Sequence, residues 1–179
     1  LSHMTSATDQ LGMVTKYAYD GNGNVVSIQE GDKKAYTYTY DALNRVVKTV
    51  DPLGNQVSYT YDVLGNMVSA TDAKGNTTSY TYDALNRLTA LKDAMGGVTS
   101  YAYDKESRVL SVTAPEGDTL LSSYDAIGQL TAQKDAAGNV TTYEYDGVSR
   151  PVAVTDALKG VTSYTYDKNY NLLSQTDPL

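Results

Sequence analysis

The sequence has no cysteine, no phenylalanine and no tryptophan. Without cysteine, neither a disulfide nor a thiolate metal site holds the fold, and no thiol nucleophile is available. With 17 tyrosines as its only aromatic residues, all the aromatic bulk is amphipathic, an apolar ring with a polar tip, which suits partly wet surfaces. The single histidine, His3, lies in Leu1-Ser2-His3-Met4, which reads as an expression scar and is set aside. Serine–histidine chemistry is therefore unavailable. No apolar stretch approaches the roughly 20 residues of a membrane-spanning helix, and no run of like charge exists. The net charge of −7 and a pI near 4.5 argue against nucleic acid or an anionic membrane as partner. A length of 179 residues allows one domain with a sizeable core.

What the sequence has is a repeat. The pair Tyr-Asp recurs every 21 residues, eight times: Tyr19-Asp20, Tyr40-Asp41, Tyr61-Asp62, Tyr82-Asp83, Tyr103-Asp104, Tyr124-Asp125, Tyr145-Asp146 and Tyr166-Asp167. Two residues before each of these tyrosines stands another, except at Ser122. A second aspartate follows ten residues after the first in most units (Asp51, Asp72, Asp93, Asp135, Asp156, Asp177), and Asp9 holds the same phase ahead of the first unit. Residues 5–179 thus read as a single array of eight 21-residue repeats.

Each unit carries two turn signals of the form Asp-x-x-Gly/Asn. The first follows Tyr-Asp, as at Asp20–Gly23, Asp62–Gly65, Asp83–Asn86 and Asp125–Gly128. The second follows the other aspartate, as at Asp51–Gly54, Asp72–Gly75, Asp93–Gly96 and Asp135–Gly138. Aspartate opening a type I turn accepts backbone N–H groups, and proline after it, as at Pro52, Pro115 and Pro178, has its φ preset. Glycine or asparagine in fourth place tolerates the positive φ of a G1 bulge. Two second turns are degenerate, Glu30-Gly31-Asp32 and Ala114-Pro115-Glu116-Gly117.

Between turns lie segments of about six residues with the alternation of half-buried strands. One type is aliphatic, as Leu88–Leu91; the other reads Thr-Ser-Tyr-Thr-Tyr, as Thr78–Tyr82. The fold class is therefore all-β, about sixteen antiparallel strands in tandem hairpins. An odd period has a consequence. Two symmetric hairpin turns would put the tyrosines on opposite faces in alternate units, so a fixed face requires one bulge per unit or two unequal turns. A meander this long is expected to curve and spiral, and so to enclose space. Pro151, where a strand usually carries Val or Leu, predicts a locally broken ladder or an edge.

Units such as Tyr80-Thr-Tyr-Asp83-Ala-Leu-Asn86-Arg87-Leu88 and Tyr59-Thr-Tyr-Asp62-Val-Leu-Gly65-Asn66 resemble the RHS repeat, also called the YD repeat. The resemblance covers essentially the whole chain after the scar. It is a resemblance to bacterial polymorphic toxins, the BC components of insecticidal toxin complexes, wall-associated proteins and animal teneurins. It implies a spiral of hairpins forming a hollow shell that, in toxins, encloses a C-terminal toxic segment. It also implies a secreted or cell-surface parent protein, bacterial in origin, whose remainder and enclosed effector are the partners. Nothing here matches the segment with an autoproteolytic aspartate that usually ends bacterial shells, and the chain stops inside a turn at Asp177-Pro-Leu179. It therefore reads as a fragment of a longer array, with open sheet edges available for self-association.

A calcium ladder would need carboxylates to share an ion, yet equivalent aspartates sit two strands, roughly 10 Å, apart. Turn capping fits them better. Glycoside hydrolysis needs one singled-out carboxyl pair, and none stands out. Gly21-Asn22-Gly23 leads into a strand, unlike a phosphate loop. The expectation is no enzyme, no metal and no cofactor. The tyrosine pairs are read as packing elements, with stacking on a glycan as the alternative in an adhesion module.

Overall fold

The structure is a computed structural model and describes residues 4–178. The segment read as a scar lies outside the described residues except for Met4, as does Leu179. Seventeen strands and no helix are found among the described residues.

Contacts divide the chain into two compact units. One runs through Asn86 and takes in Leu91–Gly96; the other holds Arg87–Ala90 and continues from Gly97. The first contains β1 (Ser6–Thr8), β2 (Val14–Tyr19), β3 (Val25–Glu30), β4 (Tyr36–Tyr40), β5 (Val46–Val50), β6 (Gln56–Tyr61), β7 (Met67–Thr71) and β8 (Thr77–Tyr82). The strand β9 (Leu88–Lys92) is divided between the two. The second contains β10 (Val98–Tyr103), β11 (Val109–Thr113), β12 (Thr119–Tyr124), β13 (Leu130–Lys134), β14 (Val140–Tyr145), β15 (Pro151–Thr155), β16 (Val161–Tyr166) and β17 (Leu172–Thr176). Within each unit every strand pairs antiparallel with the next in sequence, an uninterrupted meander. The strand beyond the expected sixteen is β1, the short tail of a period that ends at Asp9.

The required bulge is present in all seven first-turn hairpins whose register is described. In β4–β5, Thr39 pairs with Lys48 but Tyr40 pairs with Val46, so Val47 is the extra residue. The same shift leaves Val26, Val68, Leu110, Thr131, Val152 and Leu173 extra. In these seven it falls just before the tyrosine of Tyr-Asp, while the second-turn hairpins β3–β4, β5–β6, β7–β8, β11–β12, β13–β14 and β15–β16 keep an unbroken register. Tyr38 pairs with Thr49, and Thr49 with Val57. The equivalent of Tyr38 is Tyr59, two residues further along the strand and on the face of Val57. Tyr143, Val154 and Thr162 stand in the same relation to Tyr164. Each repeat is thus staggered by two residues, about 7 Å, and the tyrosine face is kept.

The sizeable core is absent. No described residue is fully buried, and most strand residues are half-buried. Stability in such an array comes from contacts between neighbouring repeats rather than from a shared interior. Pro151 does not break the ladder: it opens β15 and pairs with Tyr145, and the first residue of a strand is a position where a missing N–H is tolerated.

Candidate functional site

Each unit builds the same turn. At Asp62 the Gly65 N–H donates to the Asp62 carbonyl at 3.2 Å, and the Asp62 N–H donates to Asn66 at 2.9 Å. The Asp62 carboxylate Oδ1 accepts the N–H groups of Leu64 and Asn66 at 2.9 and 2.8 Å, and Oδ2 accepts Asn66 Nδ2 at 2.9 Å. Asp72 repeats the arrangement in the second turn with Lys74 and Asn76. The fourth residue takes positive φ at each predicted glycine, Gly23, Gly54, Gly65, Gly75, Gly96, Gly128 and Gly138. Asn44 and Asn86 do the same, and so do Ser107, Ser149, Lys159 and Tyr170, which the Gly/Asn pattern does not anticipate. The degenerate turn at Glu30 closes from the Lys33 N–H instead, with Gly31 at φ 56°.

Nine of the turn carboxylates are favoured in their ionised form. The side-chain amide of the asparagine four residues on holds Asp20, Asp51, Asp62, Asp72, Asp135 and Asp167 below the ordinary carboxylate value. For Asp41 and Asp146 the backbone N–H of Arg45 and Arg150 is the leading cause. At Asp104 partial burial pushes upward, and the Arg108 N–H, guanidinium bond and charge overcome it.

The tyrosines of the Tyr-Asp pairs link one repeat to the previous one. The Tyr61 hydroxyl donates to the carbonyl of Val46 at 2.8 Å. The same bond joins Tyr19 to Met4, Tyr40 to Val25, Tyr82 to Met67, Tyr103 to Leu88, Tyr124 to Val109 and Tyr166 to Pro151. Tyr145 is half-buried opposite Pro151. The other tyrosine of each pair faces the next strand directly, as Tyr59 faces Ala70 and Tyr101 faces Val112. Partial burial, followed by the charge of Asp20, pushes the Tyr40 phenol up; burial, followed by Tyr80, does so at Tyr82.

Four arginines complete the link. Arg45 lies 4.6 Å over the ring centre of Tyr61, bonds Asp41 Oδ2 through Nε at 2.7 Å, and reaches the Asp62 carbonyl at 3.1 Å. Arg87 over Tyr103, Arg108 over Tyr124 and Arg150 over Tyr166 repeat the stacking. Each reaches the carbonyl of the aspartate after that tyrosine. Where this position is asparagine, an amide ladder replaces the stack: Asn24 donates to Asn44 at 2.7 Å and Asn66 to Asn86 at 2.9 Å. Neither the turn pattern nor the tyrosine spacing of the sequence points to these side chains.

The profile of the RHS Repeat family matches residues 3–35, 19–56, 40–77, 61–94, 82–119, 124–161 and 148–179. The chain belongs to the RHS-repeat family. No curated protein matches it. Among solved structures, this RHS chain is similar to the crystal structure of TcdB2-TccC3-Cdc42, at 18% identity and a TM-score of 0.74. It is equally similar to the Tc holotoxin pore of Photorhabdus luminescens, at 18% identity and a TM-score of 0.75. Each alignment covers 93% of this chain but 11% of the other. The crystal structure of TcdB2-TccC3 aligns over 96% of the chain at 14% identity and a TM-score of 0.55, covering 15% of the other chain. The likeness is one of fold: an RHS ribbon spanning a small part of those chains' length.

The site that emerges is a repeated junction. Tyrosine hydroxyl, arginine plane and aspartate carbonyl meet at the first-turn edge of the ribbon. Most turn carboxylates accept hydrogen bonds within their own loop, as Asp62 and Asp72 do, and no group of three or more metal-ligating side chains is found among the described residues.

Proposed function

We propose that the chain is a wall segment of an RHS-type β-shell in a secreted bacterial toxin-complex protein, and that this wall encloses a toxin or effector segment. The observation that carries the reading is the ribbon's construction. No described residue is fully buried, yet the tyrosine hydroxyls, arginines and turn carboxylates bond across and within repeats. Such side chains make a wall. The RHS repeats and the fold of the Tc toxin structures support the same role. Sequestration would be mechanical: successive hairpins exclude solvent and protease from the segment behind them. The remaining shell and the enclosed segment are the partners.

Grafting tests this. Tyr19–Tyr166 replaces the matching stretch in the shell of the TcdB2-TccC3 complex, and the resistance of the enclosed segment to added protease is followed. Protection equal to that of the unaltered complex supports the wall role. A graft that assembles at the expected mass but lets the segment be cleaved contradicts it.

A further inference from the structure

The fifth unit departs from its neighbours at several positions that meet in space. Ala114 stands where the flanking second turns have Asp93 and Asp135, and Asp118 where they have Gly97 and Asn139. Leu120 and Leu121 replace Thr99-Ser100 and Thr141-Thr142, and Ser122 replaces Tyr101 and Tyr143. The RHS profile passes over the same place, leaving 120–123 unmatched between 82–119 and 124–161.

The register puts Leu120 and Ser122 on the tyrosine face. Tyr101 pairs with Val112, Val112 with Leu120, and Ser122 with Gln133. The row of tyrosines two residues before each Tyr-Asp pair therefore lacks one member at Ser122. Its neighbours Tyr101 and Tyr143 are four strands apart, roughly 19 Å. Beside the gap is an open depression of about 550 Å³, lined by Thr99, Val112, Ala114, Leu120 and the carboxyl-bearing Asp118 and Asp135. Its walls are mainly aliphatic, and Leu120 is 40% exposed. The Asn139 amide holds the Asp135 carboxyl below its ordinary range. The Asp118 carboxylate has no hydrogen-bond or ion-pair partner among the described residues. Lys134, the cation next in sequence, pairs with Leu121 and so lies on the opposite face.

We propose that this depression is a docking site for a partner polypeptide segment carrying an apolar side chain next to a lysine or arginine. The apolar chain fills the place of the missing ring, and the cation meets Asp118 and Asp135. Charge complementarity selects the partner: an acidic segment would set like charge against both carboxylates at once. The site arises from the departures of the fifth unit, with Thr99 and Asp135 of its neighbours in the lining, and holds whether or not the chain forms a shell wall.

Two blocked dipeptides test it, N-acetyl-phenylalanyl-lysinamide and N-acetyl-phenylalanyl-glutamic acid α-amide, each titrated into the isotope-labelled full chain and followed residue by residue by NMR. The basic peptide is expected to give saturable shifts centred on Val112 and Leu120, and the acidic one to bind at least about fivefold more weakly. Asp118→Asn should weaken the basic peptide by a similar factor. Ser122→Tyr, which restores the residue of the other units and so keeps the fold, should abolish the shifts. Equal binding of both peptides, shifts spread evenly over other units, or no effect of either variant overturns the proposal.

Discussion

The phenol of Tyr61 and the carbonyl of Val46, 15 residues back in the sequence, are 2.8 Å apart. That bond spans the boundary between repeats and recurs along the ribbon. The partner tyrosine of the same strand, Tyr59, faces Ala70 instead. Tyr61→Phe should therefore cost about 1 kcal/mol, the net worth of one neutral hydrogen bond. Tyr59→Phe should stay within about 0.5 kcal/mol of the parent. Urea unfolding of the two variants checks the contrast.

Arg150 bonds Asp146, stacks 4.7 Å over Tyr166 and 5.1 Å from Tyr170, and reaches the Asp167 carbonyl. Its side chain is 26% exposed, so solvent screens part of the charge. Arg150→Ala should lose about 1.5 kcal/mol, summed from a cation–π contact, a carbonyl bond and a discounted ion pair. Arg150→Lys should recover less than half, because an ammonium lacks the planar fork that stacks and bonds together. Thermal unfolding of both variants measures this.

Ser149 holds φ 69°, a conformation that strains a residue with a Cβ. Ser149→Gly relieves that strain at the cost of extra freedom in the unfolded chain, and should stabilise by about 0.5–1 kcal/mol. The reverse change, Gly65→Ala at φ 92°, should destabilise by at least about 1 kcal/mol. Denaturation midpoints report both signs.

The turn carboxylates set the acid limit. The folded values of Asp20, Asp41 and Asp62, among others, lie below the ordinary 3.8, chiefly through asparagine amides and the backbone N–H groups that follow. The unfolded chain takes up protons first, so this stability is present above 3.8 and is lost as pH falls through the folded values. On the alkaline side, Tyr40 and Tyr82 are raised above 10.0. Their contribution is present below 10.0 and is lost as pH rises through the folded values. Melting temperature against pH should be flat from about 5 to 9 and fall on both sides. Asn66→Ala, which removes the leading support of Asp62, should soften the acid limb.

Much of this fold was legible because the turns declare themselves. Asp-x-x-Gly specifies the loop, and the odd period demands a bulge once the tyrosines must share a face. The bulge position was not legible: Val47 and Val68 look like ordinary strand valines. The arginine stack was hidden because its position carries no 21-residue signal, reading Asn24, Arg45, Asn66, Arg87, Arg108, Gln129, Arg150 and Asn171. Ser107, Ser149, Lys159 and Tyr170 take positive φ because the closing turn bonds outweigh their strain, as in the Ser149 N–H to the Asp146 carbonyl at 3.0 Å. The missing core was not foreseen from length, since length bounds a core only when elements pack in layers.

Deletions test the central claim, that one bulge per 21 residues keeps every repeat on the same face. Removing residues 62–82, one whole period, leaves the register of both flanks intact and should shift stability only modestly. Removing Val68 alone takes out one bulge and turns the tyrosines beyond it to the other face. That variant should lose more than about 3 kcal/mol or fail to fold, since every downstream link between repeats is misplaced. Circular dichroism and urea unfolding of the two variants decide it. A 21-residue deletion that folds beside a one-residue deletion that does not is the predicted result. A Val68 deletion as stable as the whole-period deletion would contradict it.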